Sequence, residues 1–211
     1  MAGWLDRLGR RISSGSSSVP GDQEGDEPER RRITGSTPGI AALLEAVEAD
    51  GSHSILDLGP AMASSFQLYR RFAHRIRFAD LFGEWTKEGW KTALASIPQQ
   101  ARGSYDLILA WDMLDRLSPD GRRELIDTLA GLSAPGAGFH TVIHDSGVET
   151  IRPLQFGLLD VDRMYYEPSS SIRLSRTPIL PAELARLVEP FRVTRAFTLK
   201  GDLREYVAIR S

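Results

Sequence analysis

The residues best placed to do chemistry lie in Ser54–Phe82, SILDLGPAMASSFQLYRRFAHRIRFADLF. An apolar run ends in Asp57-Leu58-Gly59, an amphipathic segment follows, and a second apolar run ends in Asp80. Glycine lets a chain turn tightly at a strand end, and the next helix offers unpaired backbone N–H groups. Asp80 follows Gly59 at about the 20-residue separation at which a carboxylate meets ribose hydroxyls in nucleotide-binding units. A carboxylate suits that task because it accepts two hydrogen bonds. The loop is poor in glycine, however: Pro60, Ala61 and Ala63 stand where close backbone approach would favour it. Asp80 also reads as a plain helix N-cap.

Two other strand ends carry polar groups. Trp111-Asp112-Met113 closes the apolar run YDLILAW, and Asp112 and Asp115 either face the mouth of a site or cap the helix that starts at Pro119. His144-Asp145 ends FHTVIH and reads either as a general-base pair or as a hydrogen-bonded structural histidine. The catalytic candidates are therefore His144 and Asp112.

The elements that must position these groups follow from periodicity and punctuation. Thr37-Pro38 reads as N-cap and first helical residue, with Ile40, Leu43, Leu44 and Val47 at helical spacing. Strands are expected at Ser54–Leu58, Arg75–Asp80, Tyr105–Trp111 and Phe139–His144. They alternate with helices at Ala63–His74, Glu84–Ser96 and Pro119–Leu132. A fully apolar strand such as YDLILAW belongs in the middle of a sheet covered on both faces. Arg192–Leu199 and Leu203–Arg210 alternate in the β manner around Lys200-Gly201-Asp202, which predicts an antiparallel hairpin. Ser146–Thr177 resists assignment. Its arginines Arg152, Arg163, Arg173 and Arg176 suit an anionic substrate or ordinary surface charge.

Composition sets the limits. With 211 residues, 41% of them hydrophobic, the chain can bury one sizeable core. The absence of cysteine removes disulfides, thiolate nucleophiles and Cys-ligated zinc, and the four histidines are too scattered to suggest a metal. A net charge of -2 gives no general attraction to nucleic acid, and no apolar run is long enough to span a bilayer, so a cytoplasmic protein is expected. Residues 1–33 read as a short amphipathic segment plus a disordered, charge-rich linker, and residues 34–211 as the folded domain. Trp4, Leu5, Leu8 and Ile12 share one helix face flanked by arginines, either as a peripheral membrane or partner contact or as a tail docked on its own domain.

ILDLG, Asp80, YDLILAWDML, LSAPGAGFHTVI and the closing FTLKGDLREYVAIR together resemble the class I S-adenosylmethionine-dependent methyltransferases over Thr37–Arg210. DLGPA, ADLF and LKGDLREYVA resemble a group of uncharacterised bacterial methyltransferase-like proteins within that superfamily. The resemblance implies a Rossmann-like α/β fold with a mostly parallel sheet and an antiparallel carboxy-terminal hairpin. No third strand is visible between Phe82 and Ser104, so that strand is expected to be lost or rudimentary. S-adenosylmethionine is the implied cofactor. Asp57, Gly59, Pro60, Ala61, Asp80, Leu81, Trp111, Asp112 and Met113 are the residues implied to hold it, with the carbonyl of Ala110 or Trp111 meeting its amino group. Methyl transfer to a small-molecule or protein acceptor is the implied activity. The alanine-substituted loop leaves open a catalytically decayed binding or scaffold protein. The Asn/Asp-Pro-Pro-aromatic motif of base methyltransferases is absent after YDLILAW, so nucleic acid is not an expected partner.

Overall fold

The computed structural model describes residues 32–98, 103–145 and 147–211. The amino-terminal contact face of Trp4, Leu5, Leu8 and Ile12 lies outside them. Six strands form the central sheet: β2 (His53–Asp57), β3 (Ala73–Phe78), β4 (Tyr105–Leu109), β5 (Ser133–His144), β10 (Phe191–Thr198) and β11 (Leu203–Arg210). Their order is β10-β11-β5-β4-β2-β3. β3, β2, β4 and β5 run parallel, while β11 pairs antiparallel with both β5 and β10. This is the expected parallel sheet with its closing hairpin. β3 forms one edge, and the described residues between Phe82 and Ser104 contribute no strand.

The pattern of β2 explains how the sheet separates two cores. Leu56 and Leu58 face one core, with Leu81, Ala93, Ile97, Leu125 and Leu129. Ile55 faces the other, with Ile40, Leu43, Leu44 and Tyr69. Alternation sends Asp57 toward this second side, so a carboxylate enters an apolar layer. The helices on the first side include α4 (Trp90–Ser96) and α6 (Pro119–Leu132). α1 (Pro38–Glu45) and α2 (Ala63–Tyr69) cover the second.

Three elements differ from expectation. The helix read as Glu84–Ser96 is two helices, α3 (Leu81–Glu88) and α4, because Gly89 breaks them with φ +85. α2 stops at Tyr69, short of the His74 end that periodicity predicts, since Ala73 already pairs with His53 in the sheet. Thr37 does not cap α1 with its side chain. Its hydroxyl donates to Glu205 of β11, and that carboxylate accepts from the N–H of Gly39 (2.7 Å) and of Ile40 (3.3 Å). A charged acceptor is the stronger partner for a helix amino terminus, so Glu205 caps α1 from 166 residues away. His140 Nε2 meets the same carboxylate at 2.8 Å.

The unassigned stretch is largely strand. β7 (Leu154–Asp160) and β8 (Arg163–Pro168) form a hairpin, and β1 (Ile33–Ser36) adds to β8 to give a second antiparallel sheet. β6 (Thr150–Ile151) pairs with β9 (Leu174–Ser175) beside it. Gly157 is required here, because a side chain on it would collide with the Tyr165 ring at 2.4 Å. Phe156, Leu158, Met164 and Tyr166 of this sheet join the second core.

Candidate functional site

The parallel strands release their carboxyl ends side by side, the usual place for a ligand in an open α/β sheet. A cavity of about 280 Å³ opens there, walled by Gly59, Pro60, Asp80, Trp111, Asp112 and Met113 from the strand ends. Phe82 and Thr86 of α3, Arg116, and Leu154 to Phe156 of β7 complete it, with Ser169, Ser170 and Ile172 at the rim. Six of the nine residues proposed to hold a cofactor thus line one cavity. Asp57, Ala61 and Leu81 do not: Ala61 is exposed, Leu81 is a fully buried core residue, and Asp57 lies beneath the wall.

Asp57 organises that wall. Its Oδ1 accepts from the Gly59 N–H (2.8 Å) and the Trp111 indole (2.6 Å), and its Oδ2 accepts from the Tyr69 hydroxyl (2.7 Å). Burial pushes the carboxyl up to about 6, although all three donors and the neighbouring His140 oppose the shift. Tyr69 is raised in turn, by burial and then by Asp57.

Trp111 is held on every side. Its φ of +49 is a left-handed conformation that a non-glycine residue adopts only under constraint. The ring stacks on Phe156 at 4.9 Å and 6°, and lies edge-on to His140 at 5.3 Å. A Cβ on Gly59 would stand 3.2 Å from this indole, so Gly59 admits Trp111 as well as the turn. The Trp111 carbonyl accepts from Val142 N–H (2.7 Å) and the Thr141 hydroxyl (2.8 Å), and the Ala110 carbonyl accepts from Met113 N–H (3.1 Å). With both lone pairs used in the sheet, the Trp111 carbonyl is unsuited to the role expected of it.

Asp80 caps α3, accepting from Gly83 N–H at 3.3 Å, and still lines the cavity half-buried. The two readings of this residue are therefore compatible. Asp112, by contrast, is fully buried, pairs with Arg116 and accepts from Leu154 N–H at 3.2 Å. A carboxylate so engaged is not a free base. Arg116 lies over the Phe82 ring at 4.5 Å, and its Nε is buried without a hydrogen-bond partner. Its spacing from Asp112 is readable as an i,i+4 pair. Phe156 gives no such signal, because it arrives from a remote strand.

His144 does not line this cavity. It borders a second one, of about 290 Å³, together with Arg152, Thr150, Leu154, Tyr166 and Leu203. Its ring partner is Asp115 rather than the adjacent Asp145, which lies 3.8 Å from Arg204. Of the four arginines expected to suit an anion, Arg163 and Arg173 are exposed, Arg176 is buried against Asp115, and Arg152 faces the second cavity. Among the described residues there is no cluster able to hold a metal ion, and no helix long and apolar enough to cross a membrane.

No family model and no curated protein matches this chain. Solved structures do. An assigned S-adenosylmethionine-dependent methyltransferase of Listeria monocytogenes superposes with a TM-score of 0.52 at 9% identity, over 83% of this chain and 100% of its own. The CcbJ methyltransferase of Streptomyces caelestis gives 0.49 at 11%, covering 82% and 94%. The 1,6-didemethyltoxoflavin-N1-methyltransferase of Burkholderia thailandensis, solved with S-adenosylhomocysteine, gives 0.49 at 16%, covering 82% and 76%. The chain has the Rossmann-like fold of class I S-adenosylmethionine-dependent methyltransferases. At these identities the likeness concerns the fold.

Proposed function

We propose that the first cavity binds S-adenosylmethionine and that the protein transfers its methyl group to an acceptor. The observation that carries this reading is the open cavity at the strand ends with Asp80 on its wall. A decayed site would be filled by its own side chains. Here Pro60 and Trp111 only border the space, and Met62 is turned aside to meet Gln155. Asp80 would accept from the ribose hydroxyls, Gly59 would allow close backbone approach, and Trp111 and Met113 would pack on the apolar parts. The buried Nε of Arg116 is suited to a ligand acceptor atom. When bound, S-adenosylmethionine supplies an electrophilic methyl group, whose transfer depends on alignment and exclusion of water more than on a protein nucleophile.

A second reading, a binding protein without turnover, draws on the tight contact of Trp111 with Gly59 and on the lack of a strand among the described residues between Phe82 and Ser104. Calorimetric titration with S-adenosylhomocysteine, on the wild type and on Asp80→Ala, tests the cofactor assignment. Asp80→Asn serves as a control that retains a helix cap. Saturable binding that weakens in both variants supports the assignment, and absence of binding at millimolar ligand contradicts it.

A further inference from the structure

The second cavity carries polar groups that the cofactor reading leaves unused. It lies between the ends of β5 and β11 in the central sheet and residues of β1, β6 and β8. Among the described residues Leu154 alone lines both cavities, as a wall between two separate spaces. Most of the second wall is apolar: Ile33, Val148, Ile151, Leu154 and Leu203. No carboxylate among the described residues lines it, but Arg152 does. Arg152 is half-buried, and among the described residues its guanidinium has neither an ion pair nor a hydrogen bond. A partly desolvated cation without a counter-ion is an unfavourable arrangement that an incoming anion relieves. The Tyr166 hydroxyl on the same wall is already committed to the Lys200 carbonyl at 2.7 Å.

His144 is the second polar group, and it is held from behind. Its ring Nδ1 lies 3.0 Å from Asp115 Oδ2. Asp115 is fully buried and is fixed by Arg176 Nη1 at 2.5 Å and by the His144 backbone N–H. Arg176 is itself anchored by the carbonyls of Val148, His144 and Asp145. A carboxylate that holds Nδ1–H leaves Nε2 as the ring's remaining polar atom, and no described residue hydrogen-bonds to it. We propose that the second cavity is a binding site, separate from the cofactor cleft, for a small monocarboxylate with an apolar body. Arg152 pairs with the carboxylate, His144 Nε2–H donates to it, and the aliphatic wall takes the body. One anionic charge matches one unpaired guanidinium, whereas a dicarboxylate or a phosphate ester would press a further charge against aliphatic side chains. The volume of about 290 Å³ stands at the lower end for ligand pockets, so the body is small. For Nε2 to donate while Asp115 holds Nδ1–H, the ring must carry both protons, and binding therefore takes up a proton. The charged groups facing the ring are Asp115 and Arg176 beneath it, Arg152 on the cavity wall, and Asp145 with Arg204 at the strand end. This inference is independent of the methyl-transfer reading.

The test titrates 3-phenylpropanoate into the full-length chain by calorimetry, with 3-phenylpropan-1-ol and acetate as probes that keep only the body or only the charge. Saturable binding with a Kd of about 1 mM or below, and about tenfold or more tighter than either control, is the expected result. Arg152→Met should weaken it about tenfold or more, and Arg152→Lys should recover most of the loss. At pH 7.5 the heat should vary with the ionisation enthalpy of the buffer, reporting uptake of up to about one proton per site, and His144→Asn should abolish that variation. Absence of saturation, equal binding of the alcohol, or equal binding by Arg152→Met overturns the proposal. Competition with S-adenosylhomocysteine would place the probe in the first cavity and overturns it too. A heat that is the same in every buffer overturns the part given to His144. Failure of S-adenosylhomocysteine to bind at all bears only on the cofactor reading.

Discussion

Replacing Asp57 with asparagine should stabilise the protein near neutral pH. The carboxyl is buried among Tyr69, Gly59 and Trp111, and burial raises its pKa from 3.8 to about 6. Holding the proton over that interval corresponds to about 3 kcal/mol. In the unfolded chain the group ionises near 3.8, while in the native state it keeps its proton until about 6. Its contribution is therefore full below the unfolded value and is lost as pH rises through the folded one. Asparagine retains the geometry without the charge: its oxygen accepts from Trp111 and Gly59, and its amide donates to the Tyr69 oxygen. The advantage of Asp57→Asn should be small near pH 4 and grow to about 3 kcal/mol by pH 7.5. Urea unfolding followed by tryptophan fluorescence across that range measures it. A variant destabilised at pH 7.5, or a difference that does not change with pH, refutes the reasoning.

Further outcomes follow from the packing. Gly39→Ala should cost about 1–3 kcal/mol, because the new Cβ falls 2.6 Å from the Glu205 carboxyl carbon. Gly89→Ala meets nothing within 4 Å, so its cost of about 1–2 kcal/mol is conformational and comes from φ +85 alone. Thermal melts of both variants, with crystal structures showing whether Glu205 moves only in the first, distinguish the two causes. Glu205 titrates below its usual range: burial pushes it up, but His140 and the Thr37 and Gly39 donors outweigh that. Its contribution is thus present at neutral pH and is lost as pH falls through the folded value. Glu205→Gln should remove most of the acid-side slope of stability assigned to this group, and a slope unchanged in that variant would refute it.

What was legible in the sequence was local. Asp57-Leu58-Gly59 and Asp80 mark two strand ends within one short βαβ segment, and the Lys200-Gly201-Asp202 turn joins two alternating runs, so periodicity suffices to place them. The remainder depends on partners far apart in the chain. β1 becomes a strand only because Ile33–Ser36 meets Arg163–Tyr166, and nothing in ITGS announces that pairing. Thr37 carries the signature of an N-cap, yet a stronger acceptor from β11 takes its place. His144 sits beside Asp145 in sequence but beside Asp115 in space. Phe156 reaches the site from a hairpin whose glycine and paired tyrosines obscure its alternation. Residues that line the first cavity were found where they end strands, and missed where the second sheet delivers them.

The central claim is that the cavity beside Gly59 and Asp80 holds S-adenosylmethionine. Calorimetry with S-adenosylhomocysteine addresses it most directly, since it needs no acceptor. The account predicts one site per chain, with affinity lowered about tenfold or more by Asp80→Ala in a protein that remains folded. Absence of heat at millimolar ligand, or equal binding by wild type and variant, would contradict it.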